Sequence, residues 1–487
     1  MALKVFNTET RALSPFEPLE DGKARIYACG PTIYDHAHIG NFRTFLFFDV
    51  VHRHLEWSGY NVRFVMNLTD VDDKTIGGAV KAGSSVAEFT RPFGEAFLAD
   101  CNTLGMLPAD SYPRATQYIT QMVDFVVRLI ANGHAYVADD GAVYFSVASF
   151  PRYGRLKGID TSTLKVGARV SQDEYEKEDA RDFALWKPAA EADEKAMAAW
   201  DSPWGRGRPG WHLECSVMSL TELGDTLDLH LGGEDLVFPH HENEIAQSEA
   251  ATGKLFVRNW LHVKHLQVEG RKMSKSLGNF VTVRQLLEEG YDPASIRHQL
   301  VSAHYRSDLN FTRDGLDASR SAVQRLVNFE SRLEAVPVGD GEPSGLRDVS
   351  AETLAAFRAA MDNDFNTADA MAALFGLVNR VNALLDARPR VPAEDVASVR
   401  DALSSMDRVL GLLEVAKASR SVDASLASWV EERIQARADA RKRKDFAAAD
   451  AIRGELTARG IVLEDGAGGT RWKVLGPAAA ASGAAPK

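Results

Sequence analysis

The chain has 487 residues, of which 45% are hydrophobic and 25% are charged, so it can hold several domains with buried cores. Its formal net charge of −12 argues against a protein that coats nucleic acid, and its three widely spaced cysteines exclude a disulfide framework. Without a signal-peptide pattern or an uninterrupted apolar stretch of about 18 residues, it is expected to be cytoplasmic and to have no membrane partner.

The first half of the chain opens with a strand–loop–helix–strand pattern. Residues 25–28 predict a short strand, and apolar side chains after Gly40 recur every three or four residues, as in a helix. Residues 62–66 then predict a second strand. In parallel α/β sheets, nucleotides bind at such a loop and helix start.

The loop carries residues 38–41 (HIGN) in place of a glycine-rich phosphate loop. Gly40 lets a ligand approach the backbone closely, and His38 and Asn41 can donate hydrogen bonds to phosphate oxygens. The other interpretation is structural, in which Asn41 only caps the helix and His38 is a buried polar residue.

Residues 75–134 predict helices, after which the α/β pattern is interrupted. Strand patterns at residues 141–147 and 182–187 are separated by charged, Ala-rich segments. We therefore predict that residues 135–203 form an inserted module that splits a catalytic domain into two halves, residues 1–134 and 204–270.

Four residues of metal-binding types stand where a parallel sheet brings groups together. Cys29 ends the first strand, Cys215 follows the turn at residues 210–211, and His240 and Glu244 are four apart on one predicted helix. Zinc takes thiolate, imidazole and carboxylate ligands, so these four form a plausible site. The alternatives are a small core cysteine and an ordinary His–Glu contact on a helix, and no C-x-x-C spacing is present.

A second motif, residues 272–276 (KMSKS), is called here the lysine loop. Lys272 and Lys275 flank small hydroxyl residues, and a mobile pair of lysines suits a triphosphate whose charge grows in the transition state. The alternative for any short Lys/Ser segment is a solvated surface loop.

The remainder of the chain is mostly helical by pattern. It is divided into a lysine-loop and stem-contact region, a helical bundle interrupted by a Gly- and Pro-rich loop, a linker, a small module with a strand at residues 461–464, and a disordered tail. The predicted boundaries are residues 271–314 for the lysine-loop and stem-contact region, 315–416 for the bundle, 417–424 for the linker, 425–475 for the small module and 476–487 for the tail.

Read together, these motifs resemble the cysteinyl-tRNA synthetase family of class I aminoacyl-tRNA synthetases over almost the whole chain. The motifs that carry the resemblance are residues 29–35, 38–41, 67–74, 210–216, 238–244 and 272–276. The predicted architecture is therefore α/β: a Rossmann-like parallel-sheet catalytic domain with an insertion, followed by a helical bundle and a small C-terminal α/β module. The resemblance implies that the bundle binds tRNA and that the C-terminal module binds the anticodon. One departure is Asn41, where many class I relatives have histidine.

The resemblance implies ATP-dependent activation of L-cysteine to cysteinyl-adenylate, with magnesium, and transfer to tRNA(Cys) by a monomer. One zinc per chain would bind the substrate thiol. The protein ligands of this zinc map onto Cys29, Cys215, His240 and Glu244. Further site residues implied are Thr69 and Trp211 near the substrate, Asp235 near the ATP ribose, His38, Gly40 and Asn41 on ATP, and Lys272 and Lys275 in catalysis.

Two other functions remain open. A related enzyme that joins activated cysteine to an amino sugar would share the zinc and ATP motifs, but it would have no use for the C-terminal third. A catalytically inactive paralogue that only binds tRNA is disfavoured by the intact motifs.

Overall fold

The computed structural model describes residues 2–159, 181–273, 278–339, 344–388, 390–443, 445–458, 461–466 and 469–474. A four-stranded sheet lies at its centre, formed by β3 (Lys23–Ala28), β4 (Asn61–Met66), β9 (Leu227–Gly233) and β10 (Val257–Val263). The strands are all parallel in the order β10-β9-β3-β4, and Tyr27 of β3 pairs with both Val65 and His230. A hairpin of β1 (Lys4–Asn7) and β2 (Ala12–Pro15) precedes the sheet.

Helix α1 (Ile39–Trp57) connects β3 to β4, which confirms the predicted strand–loop–helix–strand unit. Its apolar side chains are buried: the Phe45 ring lies 6.0 Å from Phe42 and 5.1 Å from Phe97 of the neighbouring helix. Each buried phenylalanine contributes about 1.5–3 kcal/mol, so this aromatic cluster fixes α1 firmly in the core.

Three further helices and a small sheet follow β4. Asp72 caps α2 (Asp73–Ala82), and Ser85 forms a capping box with Glu88 at the start of α3 (Val86–Thr103). Cys101 of α3 is buried in the core, as predicted. Helix α4 (Ile119–Ala131) leads into the antiparallel sheet of β5 (Ala135–Val137), β6 (Val143–Phe145), β7 (Phe183–Pro188) and β8 (Gly207–Pro209), with α5 (Glu191–Lys195) before β8.

The two predicted strands between residues 135 and 203 are therefore confirmed as β6 and β7. The chain then returns to the central sheet through α6 (Trp211–Leu223), β9, α7 (Glu242–Thr252) and β10. The division of this region into an insertion and two half-domains stays a prediction.

After β10 comes a three-stranded sheet in the order β12-β11-β13, with β11 (Leu266–Val268), β12 (Arg271–Lys272) and β13 (Leu309–Phe311). Between β12 and β13 lie two short helices, α8 (Val283–Glu288) and α9 (Pro293–Val301). Pro293 occupies the first turn of α9, where its missing N–H costs nothing.

The predicted helical bundle is present. It consists of α10 (Arg313–Ala335), α11 (Leu346–Met361), α12 (Thr367–Asp386) and α13 (Ala393–Leu410). Helix α10 buries Leu316, Val323 and Leu326, which lie on one face. Among the described helices, α12 alone is long and apolar enough by composition to cross a membrane, and it packs against α11.

The predicted linker at residues 417–424 is helical, because α14 runs without a break from Leu412 to Lys442. That stretch contains neither glycine nor proline, so nothing in its sequence stops a helix. The last elements are α15 (Phe446–Ala458) and a hairpin of β14 (Ile461–Gly466) and β15 (Gly469–Val474), which confirms the strand predicted at residues 461–464. The predicted disordered tail lies outside the described residues.

Candidate functional site

The candidate site is a cavity of about 340 Å³ at the carboxyl ends of β3, β4 and β9. Cys29 follows β3 directly, and Gly30 lies so close to β4 that a Cβ there would be 1.8 Å from the Asn67 carbonyl oxygen. A glycine is therefore required to bring the two strand ends together. Among the described residues, the cavity lining includes eight predicted site residues: Cys29, His38, Asn41, Thr69, Trp211, Cys215, Asp235 and His240.

The four predicted metal ligands, here called the donor cluster, lie together. The Cys29 Sγ is 3.7 Å from Cys215 Sγ, 3.8 Å from His240 Nε2 and 3.8 Å from Glu244 Oε1. His240 Nε2 and Glu244 Oε1 are 3.0 Å apart, and all four side chains are buried. Ligands of a tetrahedral zinc are separated by about 3.3–3.8 Å, given its usual bond lengths, so the three distances from Cys29 fit such an ion, and His240 and Glu244 lie slightly closer together.

The cluster is built from three separate elements. Cys215 lies on α6, while His240 lies in the irregular turn Val237–His241 before α7, so the predicted helix begins later, at Glu242. The four-residue spacing nevertheless brings His240 against Glu244, as the sequence predicted.

The charges of the cluster favour a cation. Burial alone would raise the pKa of Glu244, but His230 and His240 lower it to about 2. The thiol of Cys29 donates to Cys215 and lowers the pKa of Cys215 to about 6. Burial would lower the pKa of His240, yet Glu244 and Cys215 raise it to about 10. A site that stabilises an imidazolium between a carboxylate and a thiolate also favours a metal ion.

Two histidines of this site were missed at the sequence level. His241 Nε2 lies 3.3 Å from Cys29 Sγ, and its Nδ1 is 2.7 Å from His262 Nε2. Cys29, His240, His241 and Glu244 have ligand atoms within 4.8 Å of one another. His230 Nε2 lies 2.9 Å from Glu244 Oε2 and orients this carboxylate. In the sequence, the signal that pointed to His241 was its position directly after His240.

The substrate-side residues form the wall beside the cluster. The Trp211 ring stacks on His240 at 4.3 Å and is 40% exposed, so one face of it is open to the cavity. Thr69 is buried after β4, and its Oγ1 accepts a hydrogen bond of 3.1 Å from Asn67 Nδ2. Asp235 lies exposed at the cavity mouth after β9.

The HIGN residues begin α1 at the other end of the cavity. His38 Nδ1 accepts the Asn41 N–H at 3.1 Å, and Asn41 Oδ1 accepts the His38 N–H at 3.1 Å. This reciprocal capping box agrees with the structural interpretation of the pair. Both side chains line the cavity as well, so capping and ligand binding are compatible.

The base of the lysine loop packs on these same residues. The Phe280 ring meets His38 edge-on at 5.1 Å, and the Ile39 N–H donates to the Val281 carbonyl oxygen at 2.9 Å. Lys272 is exposed on β12, and its carbonyl oxygen accepts a hydrogen bond of 3.1 Å from Asn279 Nδ2. Lys275 lies outside the described residues.

Comparison with known families identifies the chain. Three family models match consecutive segments: the tRNA synthetases class I (C) catalytic domain at residues 15–321, the DALR domain at 356–414, and the cysteinyl-tRNA ligase anticodon binding domain at 424–472. The chain belongs to the cysteine–tRNA ligase family. The resemblance predicted from the sequence motifs is thereby confirmed.

Relatives in this family match along their whole length. The cysteine–tRNA ligase of Solibacter usitatus (strain Ellin6076) is 48% identical over 97% of this chain and 100% of its own. The enzyme of Koribacter versatilis (strain Ellin345) is 47% identical over 97% of this chain and 100% of its own length. The enzyme of Chlamydia pneumoniae is 45% identical over 97% of this chain and 98% of its own length.

Solved structures of other aminoacyl-tRNA synthetases share the fold. Mycobacterium tuberculosis methionyl-tRNA synthetase in complex with methionyl-adenylate has a TM-score of 0.58 at 16% identity, covering 80% of this chain and 90% of that one. The ternary LeuRS-tRNA-LeuAMS complex of Agrobacterium radiobacter K84 has a TM-score of 0.60 at 12% identity, covering 82% of this chain and 86% of that one. The cysteine–tRNA ligase family therefore shares its α/β architecture with these enzymes.

Proposed function

We propose that this protein is a cysteine–tRNA ligase that uses ATP to activate L-cysteine and transfers it to the 3′ end of tRNA(Cys). The observation that carries the proposal is that the donor cluster and the start of α1 open into one cavity. A cysteine held there by its thiol would lie beside a bound nucleotide, which brings its carboxylate towards the α-phosphorus, as adenylate formation requires.

The first reaction is attack of the cysteine carboxylate on the α-phosphorus of ATP, with pyrophosphate leaving. The protein aligns the reactants and stabilises charge. His38 and Asn41 contact the phosphates, Gly40 lets ATP approach the backbone at the start of α1, and Asp235 binds the ribose. Lys275 stabilises the departing pyrophosphate with its magnesium, and Lys272 supports the loop.

Selectivity for cysteine follows from the donor cluster. Its four side chains would hold one zinc ion, and zinc in catalytic sites can accept a fifth ligand. The ion would supply a soft Lewis acid for the substrate thiolate and would be a poor partner for the serine hydroxyl. Trp211 and Thr69 hold the rest of the amino acid beside it. A required polar contact of this kind can discriminate by about 10⁴ or more, so a separate editing domain is unnecessary.

Cysteine-dependent exchange between ATP and pyrophosphate tests the proposal, with serine as the control amino acid and charging of tRNA(Cys) followed in parallel. Exchange with charging is the expected result. Exchange without charging would favour an amino-sugar ligase, and no exchange in folded, zinc-loaded protein would favour a binding-only paralogue. We also propose that the enzyme acts as a cytoplasmic monomer, which sedimentation of the purified protein and cell fractionation would test.

Replacing Lys275 with alanine is expected to lower the rate of cysteine-dependent exchange by roughly two to three orders of magnitude, the usual effect of losing one preorganised donor. Cysteine binding should change little, because the amino-acid pocket is intact. Single-turnover adenylate formation measures the rate. Lys195→Ala, on exposed α5, is the matched control, and a normal exchange rate in Lys275→Ala would refute the assignment.

Gly40→Ala tests the close approach at the start of α1. A Cβ there would lie 2.9 Å from Met273 Cε and 3.0 Å from His38 Nδ1, so the methionine end must move and the imidazole must shift slightly within the capping box. We expect exchange to fall roughly 10- to 100-fold, since small misplacements at reacting groups are costly. Gly77→Ala on α2 meets nothing within 4 Å and should keep full activity. Equal activities of the two variants would contradict the role of Gly40.

A further inference from the structure

A buried amide, that of Asn67, bridges the two ends of the amino-acid pocket. Asn67 follows β4 directly, is 1% exposed and lines the cavity. Its Oδ1 accepts the Gly30 N–H at 3.0 Å, and its Nδ2 donates to Thr69 Oγ1 at 3.1 Å. One side chain therefore holds both the backbone next to Cys29, in the donor cluster, and a hydroxyl on the substrate side of the pocket.

The bond to Gly30 fixes the backbone that carries Cys29. The Cys29 N–H donates to the Leu231 carbonyl oxygen of β9 at 3.1 Å, so the N–H groups of residues 29 and 30 are bound on opposite sides of β3. Gly30 also packs directly on Asn67, where a Cβ would lie 1.8 Å from the carbonyl oxygen. The thiol-binding end of the pocket is therefore held in register with Asn67.

The bond to Thr69 fixes the other end. The Thr69 N–H donates to the Pro31 carbonyl oxygen at 3.1 Å, and the Thr69 carbonyl oxygen accepts the Ile33 N–H at 3.0 Å, which holds its backbone. The bond from Asn67 Nδ2 then favours the side-chain rotamer that places the hydroxyl beside the amide. A hydroxyl oxygen has two lone pairs, so one remains for an N–H donor such as the α-ammonium group of an amino acid.

The two bonds of this bridge require an amide. The Gly30 N–H needs an acceptor and Thr69 Oγ1 takes a donor, and asparagine offers both on one short side chain. Aspartate lacks the donor, and an apolar side chain lacks both groups. Because Asn67 is buried, loss of the amide leaves its partners without a hydrogen bond and frees both ends of the pocket to move.

We propose that Asn67 is a positioning residue that sets the distance between the thiol-binding and ammonium-binding ends of the pocket, and thereby selects for the length of L-cysteine. This inference rests on the proposed function, since it takes a thiol amino acid as the substrate. The donor cluster recognises a thiol, which L-homocysteine also carries. That amino acid has one methylene more, so the spacing between the two ends is what rejects it.

The test compares L-cysteine with L-homocysteine in pyrophosphate exchange by the zinc-loaded enzyme. Asn67→Ala should lower the ratio of their kcat/KM values roughly tenfold, since one methylene in a fitted pocket is worth about 10- to 200-fold. Zinc should stay at one per chain, because the donor cluster is unchanged. Calorimetric titration with each amino acid, without ATP, measures the same preference as a ratio of Kd values.

Two further variants keep the test decisive. Asn67→Asp has almost the same size, so it should fold, and it keeps the acceptor for Gly30 but not the donor to Thr69. Its ratio should fall by a smaller factor, because one of the two bonds remains. Asn259→Ala removes another buried amide of the central sheet, on β10, whose Nδ2 donates to the Asp228 carbonyl oxygen at 3.1 Å. It should keep the wild-type ratio.

The wild-type ratio in both Asn67 variants would overturn the proposal, as would an equal fall of the ratio in Asn259→Ala. Loss of zinc from Asn67→Ala would also overturn it, in favour of a role in the donor cluster alone. Absence of exchange in the wild type would instead refute the proposed function, and the ratio of Kd values would still test the role of Asn67.

Discussion

Cys215→Ser is expected to lose stoichiometric zinc and to lower cysteine-dependent pyrophosphate exchange by about 10³- to 10⁴-fold, the scale of a lost specific polar contact. The pKa of Cys215 is about 6, so its sulfur is largely a thiolate at neutral pH. A serine hydroxyl in its place stays protonated and is a hard, weak ligand for zinc. Metal analysis of the purified variant and its exchange rate measure the two effects.

Cys101→Ser is the matched control for this change. Cys101 is also buried, with 6% of its surface exposed, but it lies in α3 outside the donor cluster. It should keep both zinc and exchange. Zinc at one per chain, with exchange within twofold of wild type, in Cys215→Ser would contradict the proposed ligand set.

The same measurement distinguishes two ligand sets, because five donors compete for four positions. His241 Nε2 lies 3.3 Å from Cys29 Sγ, closer than the 3.7–3.8 Å of the proposed ligands, and its other nitrogen contacts His262. We expect Cys215, which lines the cavity, to be the ligand, so His241→Asn should retain zinc where Cys215→Ser does not.

The sequence alone was sufficient for the elements whose pattern is local. The strand–loop–helix–strand unit of β3, α1 and β4 was predictable because apolar side chains in residues 42–55 recur at helical spacing and strand patterns stand on both sides of them. The donor cluster was predictable in part because Cys29 ends a parallel strand, where side chains meet, and because His240 and Glu244 share a helical spacing. Its fourth member, Cys215, joined the prediction through its residue type and motif.

Tertiary contacts account for what the sequence did not reveal. His230 reads as one polar residue in a buried strand, and only the packing of β9 against α7 brings it to Glu244. His241 was overlooked because its neighbour His240 already stood four residues before Glu244, the spacing expected of two ligands on one helix. The linker predicted at residues 417–424 was not recognised as helical, although it contains no glycine or proline that would end a helix.

A final expected result concerns how the catalytic sheet is held to the bundle. Asp49 of α1 is fully buried, and its Oδ2 accepts hydrogen bonds from Arg297 at 2.5 Å and from Arg53 at 3.0 Å. Arg53 also reaches Glu414 of α14 at 3.1 Å, and Arg297 donates to the Leu410 carbonyl oxygen at 2.7 Å. This carboxylate therefore joins α1, α9 and the bundle.

Asp49→Ala should destabilise the protein by about 3–5 kcal/mol, because it leaves two buried guanidinium groups without their carboxylate. With an unfolding entropy of about 2.1 cal/mol/K per residue over the ~300-residue catalytic part, the melting temperature should fall by roughly 5–8 °C. Differential scanning calorimetry measures this fall. Asp124→Ala, which changes an exposed carboxylate on α4, should leave the melting temperature unchanged within about 1 °C.

The pH dependence identifies the cause. Burial would raise the pKa of Asp49, but Arg297 and Arg53 outweigh it and lower the pKa below its usual value. The ionic contribution is thus complete above about pH 4, the unfolded pKa, and is lost as the pH falls through the lower folded pKa. The difference in melting temperature between wild type and Asp49→Ala should therefore be full at pH 7 and shrink below pH ~4. A difference that stays constant down to acid unfolding would assign the loss to the cavity left by the side chain rather than to its charge.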